Sequence, residues 1–224
     1  MERVLEPELM YELEQAKVYA NADFEAPHSR VVELFDAEFP GTEIKGQILD
    51  LGCGPGDITF RFAYRFPESR VIGVDGAPAM IKLSDERKVL EAEVGDRVTF
   101  VEGMIPGAAI PNVLYDAIIS NSLLHHLHRP AVLWETIIEY ASPETKIFIV
   151  DLFRPESREK AEQIVNQYSG SEPEILKRDF YNSLLAAFEP AEVEAQLFES
   201  GLSELNVKVV SDRHLIVYGR KSNK

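Results

Sequence analysis

The chain has 224 residues, 45% of them hydrophobic, and a formal net charge of −15. That length and apolar content fit one globular domain with a sizeable core, and the acidity argues against nucleic acid, whose phosphates such a surface repels. The single cysteine excludes an intramolecular disulfide and a cysteine-cluster metal site, so no metal is expected.

No apolar run approaches the roughly 20 residues that span a bilayer, and the N-terminal Met1-Glu2-Arg3-Val4-Leu5-Glu6 lacks an apolar signal core. A cytoplasmic protein without a membrane span is expected. Nothing in the pattern selects an oligomeric state.

Residues 1–45 read as helical, with Tyr11, Tyr19, Phe24 and Phe35 distributed through them. Short apolar strands and amphipathic helices then alternate. Strands are expected at Gln47–Leu51, Arg70–Val74, Val98–Val101, Tyr115–Ser120 and Lys146–Leu152, with helices near Ile58–Phe66, Pro78–Leu90 and Ala131–Tyr140. Such alternation predicts an α/β fold, a parallel sheet covered on both faces. Residues 154–200 break the rhythm with helices near Ser157–Tyr168, Pro173–Phe188 and Pro190–Ser200. The chain closes with two strand-like runs, Leu205–Val210 and His214–Gly219, which the short Ser211-Asp212-Arg213 link joins as an antiparallel hairpin. The expected organisation is one domain over 1–224: an N-terminal helical lid (1–45), a core (46–153), a helical insert (154–200) and a closing hairpin (201–224).

The chemistry is concentrated at Asp50-Leu51-Gly52-Cys53-Gly54-Pro55-Gly56-Asp57, a strand running into a tight turn and a helix. Glycines at alternate positions admit turn dihedrals closed to other residues and let a ligand touch the backbone. Ligands in such sheets bind at the carboxyl ends of the strands. A dinucleotide site wants G-x-G-x-x-G. Here the third glycine comes one residue early, and Asp57, also placed to cap the helix, stands where that glycine belongs. Asp50 and Asp57 are poor neighbours for pyrophosphate and better ones for a cationic ligand. Asp75 ends the second strand, where an acid accepts hydrogen bonds from ribose hydroxyls or caps the next helix.

Asp-x-Gly-x-Gly-x-Gly, then Val74-Asp75, then Tyr115-Asp116-Ala117-Ile118-Ile119-Ser120-Asn121-Ser122, resembles the class I S-adenosylmethionine-dependent methyltransferases of small-molecule type over about residues 44–152. The resemblance implies a Rossmann-like, seven-stranded, mostly parallel sheet with an antiparallel C-terminal strand. It implies S-adenosylmethionine as cofactor and S-adenosylhomocysteine as product. Gly52, Cys53 and Gly54 would pass under the methionine part, Asp50 would lie near its ammonium, and Asp75 would hold the ribose. Gly103 and Met104 fall where the family contacts adenine. Many members carry an aspartate where Met104 stands, so that contact would come from backbone or from Glu102. Asn121 and Ser122 would lie beside the sulfonium. Gly76, Met80 and Tyr19 complete the expected cofactor set.

His125 and His126 follow at once as candidate general bases, against the alternative that they pack beneath the site. A sulfonium is already activated, so in-line positioning supplies most of the acceleration, and no triad is evident. The acceptor is expected to be a small molecule, with Arg154, Arg178, Phe180 and Tyr181 as candidate contacts and residues 1–30 and 170–190 as a lid. Two other classes remain: a non-catalytic protein that binds the cofactor as a regulator or partner, and a nicotinamide-dependent dehydrogenase, which the early third glycine disfavours.

Overall fold

Runs of Val, Ile, Leu and Phe between glycine-rich or charged turns become strands because both of their faces can be buried. In a computed structural model, residues 1–6, 13–20 and 25–222 are described, with the backbone alone for 13–15; Tyr11 and Phe24 lie outside these ranges. The strands are β1 (Gln47–Leu51), β2 (Arg70–Asp75), β3 (Val98–Glu102), β4 (Tyr115–Asn121), β5 (Lys146–Leu152), β6 (Asn206–Val209) and β7 (His214–Arg220). The helices are α1 (Leu13–Ala20), α2 (Glu25–Glu38), α3 (Asp57–Arg65), α4 (Pro78–Leu90), α5 (Ala131–Tyr140), α6 (Arg158–Ser169), α7 (Glu174–Ala186) and α8 (Pro190–Glu199). Every expected strand is present, with ends differing by one residue.

The strand order is β3-β2-β1-β4-β5-β7-β6. Strands β3, β2, β1, β4 and β5 run parallel, and β7 pairs antiparallel with β5 from Lys146↔Arg220 to Leu152↔His214. The hairpin inserts its second strand into the sheet and leaves the short, polar β6 at the edge, where unpaired backbone faces water. Strand β1 is flanked by β2 on one side and β4 on the other. The chain leaving β1 and the chain leaving β4 therefore diverge, opening a crevice at the carboxyl edge between them.

The two sheet faces are packed differently. Aliphatic side chains around Trp134 of α5, with Val193 and Leu197 of α8, cover one face. The other is aromatic: Phe35 of α2 is fully buried, with ring centroids 5.2 Å from Phe62, 5.7 Å from Phe66 and 5.4 Å from Phe148. Offset and edge-on ring pairs of this kind add to plain area burial. They dock α2 on the sheet and so hold the entrance of the crevice. No helix among the described residues is long and apolar enough to cross a membrane. Replacing Phe35 by alanine leaves a ring-sized cavity and should cost about 3–5 kcal/mol in denaturant unfolding; a loss below 1 kcal/mol would mean that α2 does not anchor the fold.

Candidate active site

The glycine turn after β1 is tied to the end of β2. The carbonyl of Val74 accepts from Gly52 N–H (2.8 Å) and Cys53 N–H (3.0 Å), and Asp75 Oδ2 accepts from Gly54 N–H (2.9 Å). Gly52 has φ +72, with Leu123 packed where a Cβ would sit; Gly54 has φ +52, and a Cβ there would meet nothing within 4 Å. One glycine is required by crowding and backbone, the other presents bare backbone to open space. Gly56, at φ +87, is the N-cap of α3, and Asp57 is the first residue of that helix, making no side-chain cap. The expected cap is therefore replaced by an ion cluster. Asp57 Oδ2 lies 2.6 Å from His28 Nδ1 and 2.7 Å from Arg61 Nε, and Oδ1 lies 2.8 Å from Arg87 Nη1. Burial alone would raise the Asp57 pKa, but these partners hold it well below the usual carboxylate range. Asp75 also does not cap α4, whose N-cap is Ala77; its Oδ1 accepts from Ala77 N–H (2.8 Å).

A cavity lies over this turn. Its lining includes Asp50, Gly52, Cys53, Gly54, Asp75, Gly76 and Met80 from the β1 and β2 ends, Gly103 and Met104 after β3, Asn121 and Ser122 at the end of β4, and Tyr19 of α1. All twelve residues expected at a cofactor thus meet in one place. Asp50 is buried, accepts from Thr59 Oγ1 at 2.6 Å, and has its pKa pushed up to about 7, chiefly by burial. Burial likewise raises Asp75, opposed by its two backbone donors. Burial pushes the Cys53 thiol well above its ordinary value, which makes it a packed, unreactive group. Ser122 has φ +57, a left-handed conformation that an L side chain rarely adopts, and its N–H donates to Val150 O (2.9 Å).

A second, larger cavity shares Tyr19, His28, Asn121, Ser122 and His126 with the first. His125 also lines it and is buried, with Nδ1 2.6 Å from Asp151 Oδ1. Burial alone would lower the His125 pKa; Asp151, aided by Glu6, more than offsets this and holds it above the ordinary value.

The family profile described as a methyltransferase domain matches residues 48–144. Residues 48–144 are a methyltransferase domain, on a fold of the class I, S-adenosylmethionine-dependent kind. It is 31% identical over 105 residues to trans-aconitate 2-methyltransferase of Mycobacterium ulcerans, covering 46% of this chain and 36% of that protein. It is 34% identical over 122 residues to trans-aconitate 2-methyltransferase of Escherichia fergusonii, covering 54% and 44%. The alignments thus span less than half the length of either relative. Among solved structures, the plantazolicin methyltransferase BpumL, in complex with a triazolic desmethylPZN analog and SAH, superposes with a TM-score of 0.69 at 18% identity, covering 92% of this chain and 90% of that one. A phosphoethanolamine N-methyltransferase of Haemonchus contortus gives 0.65 at 15% identity, covering 87% and 53%. These two likenesses establish the fold.

The methyltransferase domain does not bring together all the residues expected at the acceptor. Arg154 is buried outside both cavities: Nη1 donates to Ala187 O (2.9 Å), and Nη2 lies 3.1 Å from each of Glu189 and Glu192. A buried guanidinium must be paired, and the start of α8 supplies both carboxylates. It is a structural ion, not a substrate contact. On α7, Leu176, Asp179, Phe180 and Ser183 line the second cavity, an i, i+3, i+4, i+7 face. Phe180 therefore stands on the cavity-lining face of α7. Arg178 points to solvent beside Asp179, and Tyr181 packs against the apolar contacts of α6 and α7. Sequence reasoning missed Glu6, Asp151, His28, Arg61 and Arg87. Asp151, a lone acid inside the apolar run Ile147–Leu152, carried a readable signal; the others carried none.

Because the folded-state pKa of Asp50 is raised from 3.8 to about 7, the folded chain holds a proton that the unfolded chain releases. Its contribution to stability is fully present below about pH 4 and is lost as pH rises toward about 7. Denaturant unfolding of the ligand-free protein should show that decline, and Asp50→Asn should remove it; an identical pH profile in the variant would mean that Asp50 is ionised throughout.

Proposed function

We propose that the chain transfers a methyl group from S-adenosylmethionine to a small-molecule acceptor by in-line displacement. One observation carries this reading: the cavity over the glycine turn and the larger cavity beside it share Tyr19, His28, Asn121, Ser122 and His126 in their walls. In the first, the backbone of Gly52 to Gly54 lies under the methionine part of the cofactor, Asp50 faces its ammonium, Asp75 takes the ribose, and Gly103 and Met104 border the adenine. Each Asp75 oxygen that accepts a backbone N–H keeps a second lone pair for a ribose hydroxyl. The methyl group then points past the shared wall toward the second cavity, the acceptor compartment.

A non-catalytic cofactor binder would have a blocked acceptor side; the open second cavity favours an enzyme. The named relatives act on small or peptidic acceptors, which agrees in class. Positioning at short distance supplies most of the rate. His126, which lines both cavities, stands beside the reacting acceptor.

The lid is built from α1 and α7. Ala16 packs on Ala77 and Met80 with Tyr19 beside them, and Phe180 faces the acceptor compartment. Burial, with Asp57 and Asp75 near, pushes the Tyr19 hydroxyl up to about 12, so it stays neutral beside a cationic ligand. Hydrogen exchange of the α1 and α7 amides should slow when S-adenosylhomocysteine binds; unchanged exchange in both would make them fixed packing.

Asp75→Ala should weaken S-adenosylmethionine binding by about 1–3 kcal/mol, the scale of hydrogen bonds to a charged group. Calorimetry measures this, with thermal melting as a check on folding; unchanged affinity in a folded variant would remove Asp75 from the ribose. Binding should also tighten as pH rises through about 7, because an ammonium favours the ionised form of Asp50. Asp50→Asn should flatten that component, and a profile shared by both proteins would place the ammonium elsewhere.

A further inference from the structure

At the wall of the acceptor compartment three electron-rich atoms converge. Glu6 Oε1 lies 3.6 Å from His125 Nε2 and 3.1 Å from His126 Nδ1. The Glu6 side chain is only 9% exposed. Glu6 Oε1 and His126 Nδ1 are both buried and make no hydrogen bond among the described residues; their 3.1 Å approach lacks the alignment of one. Buried polar atoms without partners are rare and call for an explanation.

The surroundings hold these atoms in place. His125 is fixed through Nδ1 by Asp151, which also accepts from Leu124 N–H (2.8 Å). With Nδ1–H donated to that carboxylate, release of the Nε2 proton on metal binding turns the Nε2 lone pair toward Glu6. A carboxylate behind an imidazole is the usual support of a metal-ligating histidine. Ser183 donates to Glu6 Oε2 at 3.3 Å, which leaves Oε1 as the inward oxygen, and His128 Nε2 lies 2.7 Å from the Glu6 carbonyl. The nearby cation, Arg3, directs Nε to Ala186 O and Nη2 to the carbonyls of His125 and Leu127.

We propose that Glu6, His125 and His126 bind one divalent transition-metal ion at the wall of the acceptor compartment. Two atoms each about 2.1 Å from a common ion, at angles of about 90–109°, lie about 3.0–3.4 Å apart; the two observed separations are close to that, and all three ligand atoms lie within 4.8 Å of one another. Two imidazoles and one carboxylate suit zinc, iron(II) or their neighbours over magnesium or calcium, which prefer all-oxygen sets. Glu6 and Asp151 set two negative charges against a dication, and the Arg3 guanidinium is turned away onto backbone carbonyls. Three protein ligands leave coordination positions unfilled, as in catalytic sites, and two of them, His125 and His126, line the compartment where an oxygen or nitrogen of the acceptor would lie. The ion binds without reference to methyl transfer; only its role toward an acceptor rests on the reading proposed above. The cysteine count made a metal unexpected, and this site uses no cysteine.

The test uses tag-free full-length protein stripped with a chelator. Cobalt(II) should bind at one equivalent with visible d–d absorption, zinc should displace it, and millimolar magnesium should not. Glu6→Ala and His126→Ala should each weaken cobalt binding by about 100-fold or more, and Asp151→Asn by about 10–100-fold. If melting shows that Glu6→Ala does not fold, Glu6→Gln, which keeps the shape and the Ser183 contact, replaces it. Absence of stoichiometric cobalt binding, or binding unchanged in the Glu6→Ala/His126→Ala double variant, overturns the site. S-adenosylhomocysteine binding is measured in parallel on the stripped protein. If it binds and cobalt does not, the metal site alone fails; if cobalt binds and it does not, the methyltransferase reading fails and the metal site stands.

Discussion

The carbonyl of Val74 accepts from two consecutive amides, those of Gly52 and Cys53, and the geometry of the cavity follows from that junction. It bends the chain leaving β1 across the end of β2. Gly54 then sits next to Asp75, whose carboxylate takes its N–H. Only glycine tolerates the resulting left-handed backbone at positions 52, 54 and 56 without strain. The turn consequently presents bare backbone to open space at Gly54, at the edge of the sheet, with the acids Asp50 and Asp75 beside it. The turn and its two acids are held by the fold itself, and a preorganised cavity limits the ordering that binding of a ligand costs.

Electrostatics sort the acids of this strongly acidic chain into distinct states. Asp57 has three basic neighbours and stays ionised, linking α2, α3 and α4 around the cavity mouth. Asp50 has one hydroxyl donor and no cation, so burial dominates and favours its protonated form. Asp151 is paired with a histidine on the far side of β4. These three carboxylates are all at or near strand ends, and what separates them is which helices carry bases toward them.

The N-terminal arm joins the two halves of the site. Val4 N–H donates to Leu185 O, the guanidinium of Arg3 stacks 3.8 Å from the Phe188 ring centroid, and Glu6 reaches His125 and His126. Residues separated by more than a hundred positions thus share one wall. The larger cavity is lined from α2, the turn after β4, α7 and the start of β7, with no contiguous motif among them, and the arm packs behind the two histidines of that turn.

The sheet was legible because each strand is a short apolar run bounded by turn residues, and burial on both faces leaves no other use for such runs. The cavity over the glycine turn was legible for a related reason: glycines at alternate positions and an acid at the next strand end act through the backbone and through neighbours fixed by strand pairing, as at Gly52, Gly54 and Asp75. Helix α7 was legible only in part, since Phe180 faces the compartment while Arg178 does not, and that depends on how the helix is rotated by its packing on α6. The sequence by itself determined the order of elements and the strand-edge chemistry, which are set by local periodicity and near-neighbour turns. Tertiary structure alone decided that Arg154 is consumed by Glu189 and Glu192, that Asp57 gathers three bases, and that Glu6 meets two histidines. Those outcomes depend on long-range contacts between side chains, and a charged residue's role is set by which opposite charge the fold brings within about 4 Å.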